Sequence, residues 1–242
     1  RDSMEKTALL QQSCEKMGIT LTEHMTTQFM AYMDLLLSWN EKMNLTAITE
    51  QNDVILKHFA DCVSVLPHLA LQGNESVIDV GTGAGFPGIP LKIACPSISV
   101  TLLDALQKRI GFLEEVTNAL SLQNVACVHS RAEDGGQNQQ YREQFDLCVS
   151  RAVANLAVLS EYCLPFVKVG GRLAALKGPD AAKEVEEAKV ALQKLGGNVI
   201  QILDIEIPFT DLQHKLILIE KVAPTPKTYP RKAGKINKNP LK

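Results

Sequence analysis

Val77-Ile78-Asp79-Val80-Gly81-Thr82-Gly83-Ala84-Gly85-Phe86-Pro87-Gly88 is the stretch whose reading decides the fold. A β-prone, mostly apolar run enters a turn containing Gly81, Gly83 and Gly85, and a helix is expected directly after it. Glycine tolerates left-handed backbone angles and lacks the Cβ that would hold a ligand away from the chain. The free amides of the next helix start can then meet a carboxylate or another polar group. Asp104 stands 23 residues beyond Gly81, at the end of the next expected strand, where an acid can accept both hydroxyl hydrogens of a ribose. A glycine turn with a strand-end acid points to an adenosine-containing ligand.

The spacing then selects among such ligands. A dinucleotide fingerprint needs glycine three places beyond Gly83, but Phe86 is there, and the run reads GxGxG followed by Phe-Pro-Gly. Phe86, with a helix start shifted by Pro87 and Pro90, suits a pyrophosphate poorly. No GKS or GKT follows, which excludes a P-loop, and no second domain large enough for a hydride acceptor lies downstream. S-adenosyl-L-methionine is favoured over NAD.

Outward from this motif, short β-prone runs alternate with helical ones: strands over Ser76 to Val80, Val100 to Leu103, Val125 to His129, Phe145 to Ser150, Arg172 to Leu176 and Val199 to Ile205, with helices over Phe86 to Ala94, Gln107 to Ala119, Leu156 to Val167 and Ala181 to Leu195. Such alternation predicts βαβ units on a mostly parallel sheet. Lys215 to Val222 follows without an intervening helix and is expected to pair antiparallel at or near an edge. The first seventy residues read as helix, with capping signals over Thr20 to Glu23, a third helix over Asp53 to His68, and a turn at Asn44 to Thr49. The organisation expected is an N-terminal helical extension (1–72), a catalytic core (73–222) and a basic tail (223–242).

Composition narrows the class further. Apolar stretches are broken within about ten residues, too short to cross a hydrocarbon layer as helix, and no apolar targeting segment follows Arg1 to Lys6. A soluble, cytoplasmic protein without a membrane partner is expected. The six cysteines are widely spaced with no CxxC pair, and the five histidines make no metal-ligand pattern, so neither a disulfide scaffold nor a metal site is expected. The net charge is -2, yet Lys221 to Lys242 carries seven basic residues and no acid, leaving 18 basic and 27 acidic side chains elsewhere. A short basic tail can bind phosphate while the body does not. Nothing resembles an extended coiled-coil seam, so a monomer is expected.

Over nearly its whole length the chain resembles the RsmG family, also called GidB, bacterial methyltransferases of small-subunit (16S) ribosomal RNA. The marks are Trp39-Asn40 with Asn44-Leu45-Thr46, His58 and Asp61, Asp79 to Gly88 with Pro90, Asp104 with Lys108 and Arg109, Arg131-Ala132-Glu133, Ser150-Arg151-Ala152, Lys177-Gly178, and Arg231-Lys232-Ala233-Gly234. The resemblance implies a Rossmann-like, class I S-adenosylmethionine-dependent α/β fold with a seven-stranded sheet, and methylation of guanosine N7. It implies that Gly81 and Phe86 line the cofactor pocket, that Ala132 and Glu133 lie along the adenosine, that Arg151 sits beside the cofactor, that Asp104 takes the ribose, and that Asp79 and the Gly83–Gly85 turn hold the methionine end.

Guanine N7 offers an electron pair without losing a proton, so no general base is required and none stands out. An arginine near N7 would oppose the positive ring formed, so Arg151 is cast as a cofactor or RNA-phosphate contact. His58 and Lys177 are further candidates for positioning substrate or cofactor. Lys108, Arg109 and Lys177 on the core, with Arg231, Lys232 and Lys235 in the tail, form an expected phosphate-binding rim, and the tail is expected to order on 16S rRNA, a small subunit or its assembly intermediate. The rival readings are a small-molecule methyltransferase, a catalytically silent RNA-binding protein with a nucleotide fold, and an NAD-dependent oxidoreductase.

Overall fold

Among the residues described by the computed structural model, 2–151 and 153–242 with the side chains of 2–4 left aside, seven strands form one sheet. Ala152, in the Ser150-Arg151-Ala152 mark, lies outside them. The strands are β1 (Ser76–Val80), β2 (Ser99–Asp104), β3 (Val125–His129), β4 (Phe145–Arg151), β5 (Val167–Lys177), β6 (Gly197–Glu206) and β7 (Gln213–Lys221), in the order β3-β2-β1-β4-β5-β7-β6. β1 to β5 are parallel. β7 runs antiparallel between β5 and β6, one place in from the edge, as expected for an apolar strand reached without a crossover helix.

Side-chain alternation along these strands divides the core into two layers. Val77, Val100, Leu102, Leu147 and Leu218 join the N-terminal helices on one face, and Ile78, Val80, Leu103, Cys148 and Ile219 join the 156–195 helices on the other. The first layer includes α1 (Asp2–Lys16) and α2 (Glu23–Asn40), the latter capped by Thr22, whose side chain accepts from the Met25 amide at 3.2 Å.

The expected helix over Asp53 to His68 is broken. It comprises α3 (Gln51–Asp53), a π-helical turn Val54–Ala60, α4 (Asp61–Val63) and α5 (Leu66–Leu69), where Pro67 opens a new first turn that needs no amide from it. Beyond the sheet's first turn come α6 (Gly88–Ala94) and α7 (Gln107–Ala119), then α8 (Ala132–Gln137), which carries no apolar periodicity to announce it. Its glycines are packing positions: a Cβ on Gly135 would lie 3.1 Å from Leu103 and Phe166, and one on Gly136 would lie 2.8 Å from Pro230. The expected helix Leu156 to Val167 stops as α9 (Leu156–Cys163), because a 3-10 turn containing Pro165 leads into β5. Ala181 to Leu195 divides at Ala188 into α10 (Ala181–Glu187) and α11 (Lys189–Leu195).

The basic tail, expected to order on RNA, is already docked. Arg142 donates to the carbonyls of Thr225, Pro226 and Tyr229, and Gln137 donates to those of Lys227 and Pro230. Ile236, in α12 (Lys235–Lys238), and Leu241 are buried. Fully buried Lys221 donates to the carbonyls of Leu164 and Val167 and pairs with Glu143 at 2.9 Å, while Glu143 also accepts the Thr225 amide. Glu143→Ala is therefore expected to cost about 2 kcal/mol, below the full penalty of a buried unpaired ion because Glu143 is partly exposed. Urea unfolding checks this, and an unchanged midpoint contradicts it. No described helix is long and apolar enough to cross a membrane.

Candidate functional site

From β1 the chain proceeds outward to β2 and β3, then returns to β4 on β1's other side. That reversal opens a crevice at the carboxyl ends of the strands, the place where open α/β sheets bind ligands. The glycine turn forms its floor. The amides of Gly81 and Thr82 donate to the Leu103 carbonyl, and that of Gly83 to Asp104 Oδ2 at 2.8 Å. Asp104 Oδ1 accepts the Leu106 amide at 3.0 Å and faces Arg109 at 3.5 Å.

Gly83 has φ +59° with open space where a Cβ would stand, so the loop presents bare backbone to the crevice. Gly85, at φ +99°, is hemmed in instead: its Cβ would lie 2.6 Å from Ile89 and from the Tyr32 hydroxyl, which donates to the Ala84 carbonyl at 2.5 Å. The resulting cavity is about 420 Å³ and is lined by Gly81, Gly83, Phe86, Asp104, Leu106 and Arg151 among others.

Asp79 departs from its expected role in the ligand wall. It is fully buried beneath the loop, where Oδ2 accepts the Thr82 hydroxyl and the Gly88 amide, each at 2.7 Å. Oδ1 has no hydrogen-bond partner among the described residues. Burial pushes the carboxyl up to about 7, against the two bonds that favour its ionised form. An acid raised on folding carries no cost below its ordinary value of 3.8 and the full cost above about 7. Asp79→Asn is thus expected to remove a fall in stability of at most about 4 kcal/mol between those limits. Urea midpoints across that pH range give the slope, and a slope equal to the parent's contradicts the assignment.

The crevice's second wall comes from the π-helical turn. His58 stacks on Phe86 with centroids 4.4 Å apart, and the Arg151 guanidinium lies 5.0 Å from the Phe86 centroid. Arg151 Nη1 donates to Asp61 Oδ2 at 3.0 Å and to the Lys57 carbonyl at 3.3 Å, and Nη2 donates to His58 Nδ1 at 2.9 Å. Since guanidinium only donates, His58 Nδ1 must accept, and Nε2–H donates to Thr46 Oγ1 at 2.7 Å. Burial, then the adjacent guanidinium, lowers His58 to about 3 and keeps it neutral. His214 completes the set at 2.5 Å from Asp61 Oδ1, and that hydrogen bond holds it above its ordinary value.

Arg151, His58 and Val153 also line a second cavity of about 720 Å³, bounded by Asn155, Lys177, Glu184, His214, Leu176 and Leu212. The two cavities therefore share a wall.

Several expected residues are engaged by protein partners or lie outside the crevice. Arg151, expected as a cofactor or RNA-phosphate contact, turns Nη1 to Asp61, Lys57 and Cys62 and donates from Nη2 to His58. The Lys177 ammonium, also expected on the phosphate rim, is buried on the wall of the second cavity, paired with Glu184 and donating to the Ala154 carbonyl. Arg231 grips fully buried Glu161 through Nη2 at 2.7 Å and Nε at 3.1 Å, and its amide donates to the same carboxylate. Ala132 and Glu133 stand just beyond β3, at the correct sheet edge but outside the 420 Å³ crevice; Glu133 borders a hollow with Lys227 and Lys232. Lys108, Lys232 and Lys235 remain exposed.

Sequence reading missed Tyr32, Asp61's pairing, His214 and Glu184, which come from segments far apart in the chain. The Asn44-Leu45-Thr46 turn did carry a signal: Asn40 Oδ1 accepts the Leu45 and Thr46 amides, placing Leu45 on the crevice and Thr46 on His58.

A seven-stranded sheet of this order, with a glycine turn after β1 and an acid closing β2, defines a Rossmann-like methyltransferase. The solved structure of geranyl diphosphate C-methyltransferase from Streptomyces coelicolor A3(2) shares the fold, with TM-score 0.53 and 14% identity over 67% of this chain and 79% of that one. A family model described as GidB, rRNA small subunit methyltransferase G, matches residues 25–213. Proteins called Ribosomal RNA small subunit methyltransferase G are 50% identical in Clostridium perfringens (strain SM101 / Type A), covering 97% of this chain and 98% of that one, and 51% identical in Alkaliphilus oremlandii (strain OhILAs), covering 99% and 100%. The chain belongs to this GidB family and is a methyltransferase.

Proposed function

We propose that the protein transfers a methyl group from S-adenosyl-L-methionine to N7 of a guanosine in 16S ribosomal RNA, acting as a cytoplasmic monomer on the RNA, the small subunit or its assembly intermediate. The observation that carries this reading is the pair of cavities meeting at Arg151, His58 and Val153, one built on a glycine turn and one beside it over the ends of β4 and β5. The crevice fits an adenosyl ligand. Asp104 accepts two amides and faces Arg109 at 3.5 Å, and a carboxylate has about four acceptor sites, which leaves capacity for a ribose hydroxyl. The open space at Gly83 admits the ligand's tail against backbone.

S-adenosylmethionine supplies a methyl group already activated on a sulfonium. The protein's task is then alignment at about 3 to 3.5 Å and exclusion of water, with no proton to remove. His58 suits that task because it stays neutral and fixes the Phe86 ring. Asp61 offsets the charge of Arg151, which donates from Nη1 to Asp61 and from Nη2 to His58. An electron pair at the shared wall thus meets an arginine whose charge is already paired.

The exposed rim is Lys108, Lys232 and Lys235. Lys232→Gln with Lys235→Gln is expected to reduce the slope of log affinity for RNA against log salt by about 1.4 to 1.8, with cofactor affinity unchanged. An unchanged slope removes the tail from the RNA interface. The reaction itself is tested by incubating the protein with labelled S-adenosylmethionine and unmodified 16S rRNA or small subunits, then mapping the methyl by mass spectrometry. 7-Methylguanosine is expected; a methyl on an exocyclic amine or a ribose contradicts the assignment.

A further inference from the structure

The geometry points to Glu184 as the residue that distinguishes guanine from other bases, in the 720 Å³ cavity and in concert with Lys177. This rests on the functional reading above and adds the feature of the base that is recognised. A base presented for chemistry has to leave its stack, and enzymes read such a base by hydrogen bonds to its Watson–Crick edge and by contact with its faces. The cavity is within the size range of small-molecule sites, and Ile48, Val65, Val153, Leu176, Ile205 and Leu212 give it apolar walls.

Its polar groups are few and specific. Glu184 Oε1 accepts the Leu156 amide at 2.9 Å and pairs with the Lys177 ammonium at 3.0 Å, which fixes the carboxylate at the start of α9. Oε2 makes no hydrogen bond among the described residues, on a side chain only 19% exposed. Lys177 donates one hydrogen to the Ala154 carbonyl and pairs with Glu184, leaving donor capacity on an ammonium that has three hydrogens. The cavity therefore offers a cationic donor beside an anionic acceptor. Guanine's Watson–Crick edge presents the complement: O6 as acceptor beside N1–H and N2–H as donors. Adenine reverses the first two groups, putting an amine toward the ammonium and the N1 lone pair toward the carboxylate. One edge of guanine then faces the Lys177–Glu184 pair, Glu184 offsetting the ammonium's charge, and N7, on the adjacent Hoogsteen edge beside O6, is bound by neither group.

Inosine, which lacks only the 2-amine, tests this directly. Small subunits whose methylated guanosine, once mapped, is replaced by inosine are compared with the guanosine form as substrates for the parent protein and Glu184→Gln. The parent is expected to lose about ten- to hundred-fold in kcat/KM on inosine, as for one hydrogen bond to a charged group. Glu184→Gln is expected to be weaker on guanosine and nearly indifferent between the two, with S-adenosylhomocysteine affinity by calorimetry unchanged. A merely structural role would lower both rates together. Equal parent rates on guanosine and inosine would overturn the proposal even if the variant failed to fold, as would an inosine penalty of the same size in Glu184→Gln. Absence of any transfer to guanosine by the parent would instead overturn the functional reading beneath it.

Discussion

Asp61→Ala is expected to destabilise the protein by about 3 to 5 kcal/mol, the usual result of removing one partner from a buried ion pair. Asp61 is almost wholly enclosed, and its two oxygens serve Arg151 and His214. Its removal strands a guanidinium against a neutral imidazole and an aromatic face. His58 cannot compensate, because its acceptor nitrogen already faces Arg151. Asp61→Asn keeps an acceptor but not the charge and should fall between the two. Guanidinium denaturation measures the loss, and an alanine variant as stable as the parent would show that the Arg151–Asp61 pair does not brace this wall. The same variant should lose the upward displacement of His214, whose titration by NMR gives a second reading.

The largest effect on ligand binding is expected from Asp104→Ala. Asp104 has two structural bonds, to the amides of Gly83 and Leu106, besides the role proposed for it toward a ribose. Losing charge-assisted hydrogen bonds of about 1.5 to 3 kcal/mol each predicts a fall in S-adenosylhomocysteine affinity of at least about hundred-fold. Global stability should fall as well, since the Gly83 and Leu106 amides lose their acceptor, but the β1–β2 register continues through Val80 and Leu103 without that side chain. Asp104→Asn retains acceptor geometry at one oxygen only and should lose less affinity. Binding that survives alanine would remove Asp104 from the site.

The parallel sheet was legible because its strands are short apolar runs with turn signals between them, and the strand ends at Val80, His129 and Leu103 fall within a residue of the readings. Gln107–Ala119 was legible to the residue. The π-helical turn was not, because hydrophobic spacing in one short run cannot distinguish an α turn from a wider one. α8 escaped notice because its glycines are chosen by contact with Leu103, Phe166 and Pro230, which no local pattern reveals. The glycine turn with Asp104 was readable for the opposite reason: its function depends on local backbone shape and one strand-end acid. The partners of Arg231 and Lys177 were not legible, since a count of cations does not show that Glu161 and Glu184 pair with them.

The most direct test is calorimetric titration of the full chain with S-adenosylhomocysteine, with NAD as the comparison ligand. One-site binding of the adenosyl ligand, weakened at least about hundred-fold by Asp104→Ala, with no heat from NAD, is the predicted result. No binding of S-adenosylhomocysteine, or binding indifferent to Asp104, would contradict it.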